Sequence, residues 1–347
     1  MEMMHRWVIS ICSIFCCLMG YTPNQPSQKI DRKDAANVVQ NALKIDGPVI
    51  ADEILNGHSR NQLFLATANH NKYVIRFFKN PSQARREFDC QRIASEVGYG
   101  PHVFIADPDQ GYIVMEYLPQ NVMDQNQFSS SRRYQALGEA VFKMHHGPKF
   151  PEKKDSIFDD IHSRIRKLKK RASFEPVATR LEEMITVIQK TVSSSPNNKT
   201  SCHNDLHPGN MIFSGSSFKI IDFGDATQDD PYFDLATVIV FNCFQPEQED
   251  ALLMSYFKRP MLSEEKAKLA LMKQAVFICW ATRGFLENNQ PYDAKIESKI
   301  ASETFQNLLK KSWIGDDLAK QEIKPLAPYI FLREAVNRFQ SQEFITP

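Results

Sequence analysis

The chain is 347 residues long, 42% hydrophobic and 24% charged, a composition that fits a globular protein with more than one hydrophobic core. Lys and Arg number 42 against 41 Asp and Glu, so no surplus of positive charge is available to neutralise a polyphosphate backbone, and no nucleic-acid partner is expected. The 7 cysteines include no CxxC pair and have no histidines at zinc spacing, which argues against a disulfide framework or a structural zinc site and fits a reducing compartment.

Residues 1–28 read as an apolar leader. Trp7 to Gly20 is mostly apolar, follows Arg6 and precedes polar residues, but it is too short to span a bilayer comfortably. The order of basic then apolar residues resembles a signal or tethering segment, although Cys-Leu-Met-Gly-Tyr is a poor cleavage site. Membrane contact is therefore expected only through residues 7–20.

Further along, Gln62 to Ala68 and Lys72 to Lys79 predict two strands joined by the turn Asn69-His70-Asn71. Residues 83–97 place Phe88, Ile93, Ala94 and Val97 close to helical spacing, with Gly98 as the stop. Val103 to Ala106 and Tyr112 to Leu118 predict a second strand pair, ended by Pro119. Beyond it helices dominate, over 130–146, 156–172, 176–194 and several stretches between 247 and 340. One exception is a small hairpin from Met211-Ile212-Phe213 and Phe218 to Ile221.

That hairpin carries the chemistry. In CHNDLHPGNMIF (202–213) and FKIIDFGDA (218–226), an acid, an amide five residues later and a second acid at the end of the next strand are brought together. Phosphoryl transfer needs this set: a carboxylate to orient the attacking hydroxyl, and a carboxylate with an amide oxygen to hold Mg²⁺ against nucleotide phosphates. The assignment is Asp205 as catalytic base and Asn210 and Asp222 as metal ligands. His203 is placed to hold the loop backbone and His207 to approach the transferred phosphoryl group, although both also read as loop residues with satisfied hydrogen bonds.

HNDLHPGN, the following IDFGD and Asp230-Pro231-Tyr232-Phe233-Asp234-Leu235-Ala236, in that order, resemble the aminoglycoside phosphotransferase and choline/ethanolamine kinase family over roughly residues 45 to 290. The resemblance implies an α+β, bilobal, protein-kinase-like fold: a small antiparallel β N-lobe with one key helix over 29–118, and a larger, mostly α-helical C-lobe over 119–347. It implies an ATP site between the lobes, with Mg²⁺ as cofactor and ATP as co-substrate. Ser59 and Asn61 then belong to a phosphate-covering loop, and Arg76 reaches the phosphates with Glu87 as its ion-pair partner. Met115, Glu116 and Leu118 form the adenine-binding connector. Asp234 accepts hydrogen bonds from the catalytic-loop backbone, and His145, ending the helix 130–146, reads as a packing residue.

CHND and Arg76 in place of Lys resemble the choline and ethanolamine branch, whereas Phe-Gly-Asp after Asp222 departs from the acidic-aromatic pair usual in choline kinases. The expected acceptor is choline, ethanolamine or a similar amino alcohol, with an aminoglycoside- or thiamine-type kinase as the alternative. A nucleotide-binding module without turnover is the rival from another class, and a protein kinase is disfavoured by the lack of an Ala-Pro-Glu motif. Trp280, in a helical stripe with Phe277 and Phe285, reads as core or as an aromatic wall for an ammonium. A cytoplasmic location follows from the need for ATP, with the leader leaving export or tethering open.

Overall fold

The computed structural model describes residues 30–54, 61–79, 81–119, 131–193, 199–214, 217–243, 245–288, 291–300 and 317–340. The predicted leader and Ser59 lie outside these residues.

Five antiparallel strands form the first layer: β1 (Ile50–Ile54), β2 (Gln62–Ala68), β3 (Asn71–Phe77), β4 (Val103–Asp107) and β5 (Tyr112–Glu116). Their spatial order is β1-β2-β3-β5-β4. Period-2 alternation splits the side chains between two helices. Phe64, Ala66, Ile75 and Val114 pack with Ala35 and Val39 of helix α1 (Arg32–Leu43), while Ile113 and Met115 pack with Ala84 and Phe88 of helix α2 (Pro81–Val97).

Helix α1 starts at Asp31, whose carboxylate accepts the Asp34 N–H at 2.8 Å. The sequence reading did not predict this helix. Its segment RKDAANVVQNAL buries only Ala35 and Val39, too few apolar positions to make a legible stripe.

Helix α2 belongs to two cores. Cys90, Ile93 and Ala94 in its second half, with Tyr99 beyond its end, lie in the large core of the helical part. Gly98 takes φ +90° where the chain turns out of the helix, a conformation other residues rarely adopt.

The helical layer comprises α3 (Ser131–His145), α4 (Ile157–Lys169), α5 (Glu175–Ser193), α6 (Pro231–Asn242), α7 (Pro246–Phe257), α8 (Ser263–Asn288), α9 (Ala294–Lys299) and α10 (Asp317–Gln340). Helix α4 shows the cause of such elements plainly. Ser156 and Asp159 form a capping box at its start, and Ile157, Phe158, Ile161, Ile165 and Leu168 make one buried stripe. Helix α8 is long and apolar enough to cross a membrane, but 72% of its most apolar stretch is buried, as befits a core helix.

Two short ribbons interrupt the helices and position the site. Strands β6 (Thr200–Cys202) and β9 (Thr227–Asp229) pair antiparallel, as do β7 (Met211–Ser214) and β8 (Ser217–Ile220). Strand β8 is tied to the end of α2, because Ile220 N–H donates to Tyr99 O at 2.7 Å and Lys219 Nζ to Gly98 O at 2.8 Å. The whole is an α+β bilobal, protein-kinase-like arrangement.

Candidate active site

The segment His203 to Asn210 leaves β6 and re-enters the chain as β7, so its shape decides where its side chains point. Asp234, near the start of α6 and 0% exposed, accepts the backbone N–H of His203 and of Asn204, both at 2.7 Å. His145 Nε2 lies 3.1 Å from the same carboxylate and its Nδ1 lies 2.8 Å from Tyr256 Oη. A buried carboxylate with two amide donors and an imidazole is satisfied, and it fixes the turn in which Asn204 takes φ +62°.

His203 ties this segment to the next strand. Its Nδ1 accepts the Asp205 N–H at 3.3 Å, leaving Nε2 to donate to Ile221 O at 3.0 Å. Within the loop, His207 Nδ1 accepts the Gly209 N–H at 3.0 Å, so the neutral ring carries its proton on Nε2, 3.7 Å from Asp205 Oδ2. Burial is the main force pushing His207 down to about 4, partly opposed by Asp205 and reinforced by Arg283.

Asn210 donates its amide N–H group to Asp205 O at 2.9 Å and to Asp205 Oδ2 at 3.3 Å. Its amide oxygen is thereby oriented away from Asp205. Asp222, at φ +64°, lies beyond β8, and the Asn210 carbonyl accepts the Ile221 N–H at 3.0 Å. Left-handed backbone on a non-glycine residue carries strain, and Asp tolerates it better than most. Arg76 Nη2 takes Asp222 Oδ1 at 2.9 Å, so Oδ2 is the oxygen this half-exposed carboxylate offers to a cation. A carboxylate and an amide oxygen are hard donors and suit a magnesium-type ion.

Arg76 also holds Glu87 at 2.7 Å, linking β3 to α2 with both side chains only 12% exposed. Burial pushes Glu87 up to about 7, with Arg76 opposing and Asp222 reinforcing. Burial likewise favours the neutral form of Asp222, but Arg76 reverses this and holds it below the usual carboxylate range.

Asn61 immediately precedes β2 and its side-chain oxygen accepts the Lys79 N–H at 3.3 Å, closing the strand pair. Met115 and Glu116 end β5, where Glu116 and His102 form a reciprocal pair: Glu116 N–H to His102 O at 2.9 Å and His102 N–H to Glu116 Oε1 at 2.7 Å. Leu118 follows in the connector toward the helical lobe.

Trp280 is 3% exposed, packed against Phe241 with ring centroids 4.8 Å apart and edge-on to His207 at 5.4 Å. It is thus a core side chain that also borders the catalytic loop. One turn later on α8, Arg283 sets its guanidinium 5.2 Å from the Trp280 ring centroid, Nη1 2.6 Å from Asp205 Oδ1 and Nη2 3.2 Å from Asp225 Oδ2. Lys153 Nζ approaches Asp225 from the other side at 3.6 Å and Asp160 at 3.0 Å. Burial pushes the Asp205 carboxyl up, but Arg283 and then His207 more than reverse this and hold it well below the usual carboxylate range.

Arg283, Asp225 and Lys153 were not singled out from the sequence. Arg283 alone gave a signal, as a charge inside the apolar run AVFICWATRGFLEN, where burial of a guanidinium requires a partner. A second polar cluster, His145, Cys202 and Asp234, has potential ligand atoms within 4.8 Å of one another. It is not an open metal centre, since His145 and Asp234 are engaged as described and Cys202 Sγ donates to Asp229 O at 3.3 Å.

The sequence profile described as the phosphotransferase enzyme family, APH, matches residues 51–270, more than half of the chain. The chain belongs to this family. It is 26% identical over 211 residues to Protein LicA of Haemophilus influenzae, covering 58% of this chain. The match spans 61% of that relative's length. Among solved structures, a choline/ethanolamine kinase family protein from Mesorhizobium loti aligns with TM-score 0.58 at 20% identity, covering 88% of this phosphotransferase and 100% of that chain. Choline kinase LicA from Streptococcus pneumoniae aligns with TM-score 0.56 at 19% identity, covering 81% and 98%. Spectinomycin phosphotransferase, in complex with ADP and spectinomycin, aligns with TM-score 0.60 at 12% identity, covering 90% and 100%. At these identities the structural likenesses concern the fold.

Proposed function

We propose that this phosphotransferase transfers the γ-phosphoryl group of ATP to the hydroxyl of choline, ethanolamine or a similar small amino alcohol, with Mg²⁺ as cofactor. The observation that carries the reading is the surroundings of Asp205. A second carboxylate, Asp225, and the face of Trp280 converge beside the base on one positive group, Arg283. Two carboxylates over an indole stabilise an organic cation within reach of the carboxylate that receives the acceptor hydroxyl.

Each side chain has a role in this mechanism. Asp205 orients the hydroxyl and accepts its proton late in the transfer; Asn210 keeps that carboxylate in place through its amide N–H group. Asp222 and Asn210 supply the oxygens that would hold Mg²⁺, which neutralises phosphate charge when bound. Arg76, fixed by Glu87, directs its guanidinium toward the phosphates, and the end of β5 offers backbone groups to adenine. Two relatives in fold, a choline/ethanolamine kinase family protein and a choline kinase, support the acceptor class. Spectinomycin phosphotransferase, with the same fold, keeps an aminoglycoside-type acceptor as the second reading.

The test is a screen for ADP release and phosphorylated product with choline, ethanolamine, aminoglycosides, thiamine and sugars. Turnover confined to the amino alcohols is the expected result. Turnover confined to another class rejects the acceptor, and nucleotide binding with no transfer at all rejects the kinase reading.

A further inference from the structure

The acceptor side of the site already contains a cation belonging to the chain itself. Arg283 crosses the Trp280 indole at 5.2 Å and bridges Asp205 at 2.6 Å and Asp225 at 3.2 Å. These are the contacts that an ammonium would be given: carboxylates for its charge and an aromatic face for its apolar surface. Both oxygens of the base are engaged, Oδ1 by Arg283 and Oδ2 by the Asn210 amide at 3.3 Å. A hydroxyl that arrives with its own positive charge would meet the guanidinium within a few ångströms and be repelled by it.

We propose that Arg283 is a built-in competitor of the acceptor: its guanidinium fills the cation subsite bounded by Asp205, Asp225 and Trp280, and an ammonium-bearing alcohol enters by displacing it. The proposal rests on the amino-alcohol reading. Exchange of one cation for another keeps the two carboxylates balanced, whereas a neutral alcohol that pushed Arg283 aside would leave them facing each other without a counter-charge. The preference for positive charge therefore comes from the two carboxylates, and Arg283 sets how strongly an incoming ammonium must compete for them.

The surroundings of Arg283 allow the exchange. The side chain is 20% exposed, so its long stem has a route toward solvent. Glu287, one turn further along α8, is among the charges that act on Arg283 and gives the displaced guanidinium an acidic neighbour. Lys153, 3.6 Å from Asp225, remains to hold that carboxylate while the guanidinium is away.

The experiment compares choline with its neutral carbon isostere, 3,3-dimethylbutan-1-ol, using the full chain with saturating Mg²⁺-ATP. In the wild type, choline is preferred. Arg283→Met lowers the choline KM by at least about tenfold. Tetramethylammonium raises the Tm of Arg283→Met but not of the wild type. Arg283→Lys, too short to bridge both carboxylates, gives a smaller change in the same direction and serves as the readout should the Met variant fail to fold.

A choline KM that stays the same or rises in these variants, with choline still phosphorylated by the wild type, overturns the competing role and leaves the amino-alcohol reading standing. Absence of choline and ethanolamine turnover by the wild type overturns the reading and the competing role together.

Discussion

Arg76 Nη1 stands 2.7 Å from Glu87 Oε1, so a strand of the sheet and the helix behind it are joined by a nearly buried ion pair. The other nitrogen of the same guanidinium reaches Asp222 at 2.9 Å. Removing Arg76 therefore uncouples the phosphate side of the site from the helix and leaves Glu87 buried without its partner. Arg76→Ala is expected to raise the KM for ATP by about ten- to a hundredfold, and Glu87→Gln by less, as measured by initial rates at fixed acceptor.

Asp205→Ala and Asp222→Ala are each expected to lower kcat by about 10³-fold or more, the scale of losing a catalytic group. The two variants should part company in nucleotide titrations. Asp205→Ala retains Mg²⁺-nucleotide affinity, whereas Asp222→Ala loses its magnesium dependence. Near-normal turnover in either variant would contradict the assigned role.

Asp234→Asn replaces one acceptor oxygen with a donor in a position where two backbone N–H groups converge. One of the amides is left facing a donor, at a cost of about 1–3 kcal/mol. A lower Tm and a lower kcat are expected together, since the displaced segment carries Asp205. Retention of both would mean that the loop holds its shape without this carboxylate.

The protonation of His207 gives a pH dependence in the metal-free protein. Its folded value, pushed down to about 4 chiefly by burial, lies below the ordinary 6.5, so the unfolded chain binds the proton more readily between these values. The stability contribution is complete above pH 6.5 and is lost as pH falls toward 4. Urea titrations across that window should show wild-type stability falling more steeply than that of His207→Gln; parallel slopes would contradict the assignment.

Gly138 lets α3 approach α7 closely, since a Cβ there would run into the Leu252 carbonyl. Gly138→Ala is expected to cost about 1–3 kcal/mol of stability from overpacking, read as a reduced urea midpoint, with kcat per folded molecule unchanged. A change in kcat at full folding would show that this contact reaches the catalytic loop.

Much of the fold was legible where sequence pattern and structure share a period. The strands 62–68 and 71–77 and the hairpin 211–214/217–220 follow alternation and turn residues, and α4 and α5 follow helical stripes with clear starts. Strands β6 and β9 were invisible because three residues carry no period, and α1 because two buried residues make no stripe. Asp205, Asn210 and Asp222 could be read together because one short hairpin carries all three. Arg283 could not be linked to Asp205 in the same way, for 78 residues separate them and only the packing of α8 brings the two together.

The divided packing of α2 limits how the sheet and the helices can move against each other. With Ala84 and Phe88 lodged among the strands and Ile93 and Ala94 lodged among the helices, this element is a shared strut between the lobes. Its far end is moored to the catalytic hairpin through Gly98 and Tyr99. The lobes are therefore constrained against drawing straight apart, and a pivot of the sheet about that mooring would carry the Arg76–Glu87 pair with it.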